Sequence, residues 1–144
     1  MRLTTGWINE DEYFIVKPLH NGCRQSLVMS AHRWGSGKWN IVAGIFSSYA
    51  TYNSICYSTV WVDPTSTNKN PSIKVLSLAL ESLNEIEQEI HKQAMGKRTF
   101  IYVDGLDKRR LRIYTKLLTK RCGYKKSTIK SEYVDGMPIL YKRV

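Results

Sequence analysis

The sequence predicts an α+β fold, a mixed and mostly antiparallel sheet with helices packed on it. Three observations predict it. Strand-like runs crowd the first sixty residues, two amphipathic stretches at helical period follow, and the last twenty residues carry a hairpin signal. At 144 residues the chain suits a single core better than two.

The elements follow in order. Residues 13–16 (YFIV) form a short β-rich run closed by Pro18, and Asn21-Gly22 punctuates the turn after it. Residues 26–30 and 39–46 flank Gly35-Ser36-Gly37, the pattern of a hairpin with a flexible tip. Residues 54–62 alternate Ile55, Tyr57, Thr59 and Trp61 with Cys56, Ser58, Val60 and Val62. Both faces of that run carry sizeable side chains, as in an inner strand covered on two sides. Residues 65–71 (TSTNKNP) form a polar loop, and a helix starts at Ser72. Its apolar stripe is Val75, Leu76, Ala79, Leu80, Leu83, Ile86 and Ile90, and Gly96 stops it. Residues 100–103 (FIYV) are a buried strand. Asp104 or Asp107 caps a second helix running to Gly123, with Leu106, Leu111, Tyr114, Leu117 and Leu118 inward. Residues 127–134 and 137–142 pair around Asp135-Gly136.

Charge divides the chain. Of 22 Lys+Arg and 12 Asp+Glu, residues 1–96 hold eight of each, so the net +10 belongs wholly to residues 97–144. The single domain then reads as strands over 1–64, an anion loop and long helix over 65–96, and a basic strand-helix-hairpin over 97–144. An anionic partner is expected at that last part. No apolar run reaches the ~20 residues of a membrane span, and the acidic turn at Glu10-Asp11-Glu12 does not fit a secretory leader. Cys23, Cys56 and Cys122 are odd in number and form no CxxC pair, so a reducing, cytoplasmic setting is expected.

Catalytic patterns of the common kinds are weak. His20, His32 and His91 lie far apart, with no HxH or HExxH spacing, so no metal is expected. There is no GxSxG elbow and no Walker A pattern, and Cys23 beside Arg24 is unremarkable as a nucleophile. The richer place is the helix start at Ser72. Free backbone N–H groups at a helix N-terminus bind phosphate oxygens, and Lys69 and Lys74 reinforce them.

Residues 54–144 resemble the GCN5-related N-acetyltransferase family. The likeness is clearest in the order strand (FIYV), helix, Gly123-Tyr124 and final hairpin. Upstream, Val60-Trp61-Val62-Asp63-Pro64, a loop and a long helix match the family's acetyl-CoA strand and pyrophosphate loop in order and length. In scale the chain is similar to small acetyltransferase-like proteins of tailed phages. The resemblance implies acetyl-CoA as cofactor, with pantetheine along Trp61 and Val62 and pyrophosphate near Asn68, Lys69, Asn70, Ser72 and Lys74. It implies a notch between the Trp61 and Tyr102 strands, where an amine attacks the thioester directly. The family's tyrosine, often the acid toward the leaving thiolate, stands four residues before the Gly-aromatic pair. That position is Thr119 here, and Tyr114 takes the role if the helix is longer by five residues. Two departures stand beside the likeness. The loop lacks the family's glycines, and no Glu or His of the first strands stands out as a base.

The rival expectation uses the charge directly. Arg109, Arg112, Lys116 and Lys120 recur at three- and four-residue steps, with Lys108 and Arg121 widening the stripe. Such a face is the footprint of phosphate backbones or of an acidic protein. The chain is thus expected to be either an acetyltransferase or a non-catalytic relative that binds nucleic acid or an acidic partner.

Overall fold

A computed structural model describes residues 3–19, 25–47, 73–105 and 107–144. They form one seven-stranded mixed sheet and two helices. The strands are β1 (Gly6–Asn9), β2 (Glu12–Leu19), β3 (Gln25–Gly35), β4 (Lys38–Ser47), β5 (Phe100–Val103), β6 (Lys125–Lys130) and β7 (Pro138–Arg143). The helices are α1 (Ile73–Ala94), between β4 and β5, and α2 (Lys108–Arg121), between β5 and β6. The sheet order is β1-β2-β3-β4-β5-β7-β6. Every neighbouring pair is antiparallel except β4 and β5. That parallel pair needs a long crossover connection, and α1 lies within it.

Local chemistry explains where the elements begin and end. The carboxylate of Asp107 accepts from Arg110 N at 2.8 Å and caps α2, as its sequence predicts. Gly123 turns the chain after α2 with φ +76°, and Tyr124 N returns to the Leu118 carbonyl at 3.2 Å. Pro18 does not close β2, which runs on to Leu19 with Pro18 opposite Ser26. β1 pairs with β2 only as far as Phe14, so at Pro18 the other edge of β2 has no described strand to serve with an N–H. The β3–β4 tip is tied to the start of β5. Gly37 sits at φ +67°, its carbonyl accepts from Phe100 N at 2.7 Å, and a Cβ there would strike the Arg98 carbonyl. The tip is therefore anchored where the parallel pairing starts.

The two faces of the sheet differ. Tyr13, Ile15, Leu27, Met29, Trp39, Ile41, Ile45, Ile101, Val103 and Leu140 share the face onto which both helices pack. Ala79, Leu83, Ile86 and Ile90 of α1 and Tyr114 and Leu118 of α2 complete this core. The opposite face holds a smaller cluster of Leu3, Phe14, Val28 and Phe46. Of the expected inward positions on α2, Leu111, Tyr114 and Leu118 are buried. Leu117 is only half-buried. The expected strand over 54–62 and loop over 65–71 lie outside the described residues.

Candidate functional site

The parallel strands make the first feature. β4 and β5 pair only over Lys38–Phe100, Trp39–Ile101 and Asn40–Tyr102. Beyond Asn40, β4 continues to Ser47 with no strand on that side among the described residues, while β5 ends at Val103. The reason β5 stops is local. Asp104 Oδ1 accepts from Gly105 N at 2.7 Å and Oδ2 from Glu132 N at 3.1 Å, which turns the chain away. Gly105 then passes so close under α2 that a Cβ would lie 2.8 Å from Leu111 N. The result is a wedge with its vertex at Asn40–Tyr102.

The expected notch between the Trp61 and Tyr102 strands falls partly outside the described residues. The strand beside Phe100–Tyr102 is β4, carrying Lys38, Trp39 and Asn40, and β7 occupies the other edge. Among the described residues, the notch beside Tyr102 is thus bounded by the Trp39 strand. Trp61, Val62, Asn68, Lys69, Asn70 and Ser72 lie outside the described residues. Lys74 falls in the first turn of α1.

Tyr114 lies on the inner side of α2, buried in the core. Burial holds its phenol well above the ordinary value; Arg110 opposes this and Asp107 adds to it. Thr119, at the family's tyrosine position, faces solvent. Its hydroxyl donates back to the Thr115 carbonyl. The structure therefore turns Tyr114 inward and Thr119 outward. Tyr124 is buried, and its hydroxyl has no hydrogen-bond partner among the described residues. Lys142 Nζ lies 5.7 Å from its ring centroid and donates to both Glu87 oxygens at 2.8 and 3.0 Å.

The open face carries residues that sequence reasoning missed. Cross-strand partners share a face, and the registers join six residues into one transverse row: Glu12, His32, Asn40, Tyr102, Tyr141 and Lys125. His32 Nε2 is 2.8 Å from Ser30 Oγ, and Nδ1 is 3.6 Å from Glu12 Oε2. Burial lowers the His32 pKa, and the Glu12 carboxylate pulls it part of the way back. Ser30 is itself wholly buried, so it acts on the imidazole as a hydrogen-bond partner. The i, i+2 spacing of Ser30 and His32 is visible in the sequence, whereas the facing of Glu12 and His32 needs the register.

The basic residues make the third feature. Lys108, Arg109, Arg112, Lys116, Lys120 and Arg121 are all exposed on α2. None of the six pairs with a carboxylate among the described residues; Arg110, half-buried, is the one on this helix that does, with Asp107. The adjoining edge strand β6 adds exposed Lys125, Lys126 and Lys130. Among the described residues no three of His, Cys, Asp and Glu gather as metal ligands. No helix there is long and apolar enough to cross a membrane. Compared with known proteins, the chain matches no family model, no curated protein and no solved structure.

Proposed function

We propose that the chain is an acetyltransferase-like protein that takes acetyl-CoA into the β4–β5 wedge and acylates an amine. The observation that carries this reading is the short parallel pairing. Past Asn40, the β5-facing N–H and C=O groups of β4 have no described strand to bond. Peptide-like amides of a pantetheine arm suit such an edge, as an added strand does. Acetyl-CoA bound there supplies an activated acetyl group that a neutral amine takes up as the thiol leaves.

The chain's own groups have separate duties. Tyr114, protonated throughout the neutral range, donates a hydrogen bond from the covered side. His32 stands on the open side, next to Asn40 at the wedge vertex. Its lowered pKa favours the neutral ring near pH 7; Nε2, exchanging its Ser30 partner, takes the proton of the attacking amine and passes it to the departing thiolate. Glu12 orients the ring and steadies the imidazolium that forms. The β4 edge holds the donor in line, which replaces a bimolecular encounter with a positioned one.

Calorimetric titration with acetyl-CoA tests the reading. Saturable heat at micromolar cofactor is expected, weakened about tenfold when Lys69 and Lys74 become Ala, roughly one charged hydrogen bond's worth. No heat at millimolar cofactor overturns it.

A second reading rests on a different observation, the six α2 cations that have no carboxylate partner among the described residues. As a polyanion-binding face they release counterions on association. The double variant Arg112→Gln/Lys116→Gln is expected to lower duplex DNA affinity and to reduce the slope of log affinity against log salt by about 2. An unchanged slope removes α2 from the contact.

A further inference from the structure

The open face of the sheet carries an aromatic arrangement that shares Tyr102, Tyr141 and Lys125 with the transverse row, and neither reading above uses its rings. Trp34 and Tyr102 rings lie 5.6 Å apart, Tyr102 and Tyr141 stack at 6.2 Å and 25°, and Phe100 lies 6.2 Å from Tyr141. These four aromatics come from β3, β5 and β7 and are brought together only by the sheet order. Trp34 is 48% exposed, although a tryptophan ordinarily hides most of its surface. Phe100, Tyr102 and Tyr141 are each half-buried, with part of every ring open.

Cations border the rings. Lys38 and Arg143 are the register partners of Phe100 on either side, and Lys125 is the partner of Tyr141. Lys38 Nζ rests 5.1 Å from the Trp34 ring centroid. None of the three cations has a carboxylate partner among the described residues. A core would not interleave aromatic faces with unpaired ammonium and guanidinium groups, because a buried unpaired charge is costly.

We propose that this face is a stacking platform for single-stranded nucleic acid. Unpaired bases lie on Trp34, Tyr102, Tyr141 and Phe100, and Lys38, Arg143 and Lys125 meet the phosphates. Each observation selects this occupant. The cations require an anionic ligand, and the open ring faces require flat groups to cover them. A duplex hides its base faces within its own stack, whereas a single strand presents them. Lys38 moves from the Trp34 ring to a phosphate when a base takes its place. Asn40, in the same row, supplies edge hydrogen bonds to a base beside Tyr102.

The platform is independent of the α2 cations, which serve the helical side of the sheet. The test separates the two. Fluorescence anisotropy follows a labelled 16-nucleotide oligothymidylate and a duplex of equal length, and intrinsic tryptophan emission is recorded alongside. The native chain is expected to bind the oligothymidylate with quenching of emission and an affinity that falls with salt. Trp34→Leu/Tyr141→Leu is expected to lose tenfold or more of the single-strand affinity and little of the duplex affinity, since stacking serves unpaired bases alone. Trp34→Leu alone, a change at an exposed position, is expected to abolish most of the quenching, so a folding defect of the double variant does not decide the result. The proposal is overturned if the native chain does not bind the oligothymidylate. It is overturned equally if the single variant keeps the native affinity and quenching. Loss of both affinities only on Arg112→Gln/Lys116→Gln, with the ring variants native-like, assigns the binding to α2 and also overturns the platform.

Discussion

The two faces of one sheet have opposite designs. On the helical face, α1 and α2 cover an apolar layer, and its charges occur as closed pairs such as Lys142 with Glu87 and Lys17 with Glu85. On the opposite face, beside the small cluster of Leu3, Phe14, Val28 and Phe46, a glutamate, a histidine, an asparagine, two tyrosines and a lysine line up in register, with a half-exposed tryptophan next to them. The first arrangement stabilises by removing surface from water and satisfying what it buries. The second leaves polar and aromatic groups ready for something outside the chain. The difference teaches that stability and recognition are divided between the faces, so substitutions on each should fail differently.

The largest effect is expected in the helical core. Leu118→Ala removes a side chain that is 1% exposed, and a loss of about 3–4 kcal/mol in urea-unfolding free energy is expected. The exposed Trp34→Leu, in contrast, is expected to leave stability within about 1 kcal/mol. Equal losses would erase the distinction between the faces.

Next comes the ion pair. The Glu87 side chain is 8% exposed and Lys142 30%. Burial raises the Glu87 pKa, and Lys142 restrains that rise. Lys142→Met leaves the carboxylate buried without its ammonium, with an expected cost of about 2–3 kcal/mol, below the fully buried case because the lysine is partly solvated. Adding Glu87→Gln should recover most of that loss. If it recovers none, packing rather than charge holds this corner.

The smallest effect concerns His32 on the open face. Its folded pKa lies below the unfolded value near 6.5. Above that value both states are neutral and nothing is gained or lost. As pH falls through it, the unfolded chain takes up the proton first, so stability falls. The urea midpoint is expected to drop slightly between pH 7 and pH 5, and to drop less in His32→Gln. The Glu12 carboxylate opposes the fall, and Ser30 is the other group at the ring. An identical pH dependence in the variant would place the titration elsewhere.

Much of the fold was legible in single stretches of sequence. The α1 stripe and the Asp107 cap of α2 need only i, i+3 and i, i+4 neighbours, and both helices appear where that periodicity puts them. Two strands flanking Asp135-Gly136 were also legible, but β6 ends at Lys130 rather than at Val134, leaving residues 131–137 as the connection. Lys125 and Lys126 join β6 without any apolar alternation, held by pairing to β7. Strand β1 was not read at all, since GWIN is too short to carry a period-two signal. The basic stripe of α2 was legible because helix geometry alone puts its cations on one side.

The candidate site was less legible, for a physical reason. A wedge, a His32–Glu12 contact and a four-ring platform are relations between strands far apart in the chain. Sequence by itself determined which segments bury an apolar face, where the charge gathers and that Tyr114 lies inward. Only the tertiary structure decided that β4 lies beside Tyr102. It also decided that Glu12, His32, Asn40, Tyr102, Tyr141 and Lys125 form one row. Local propensity fixes what a strand is, while register, set by turns and by long-range packing, fixes whom it meets.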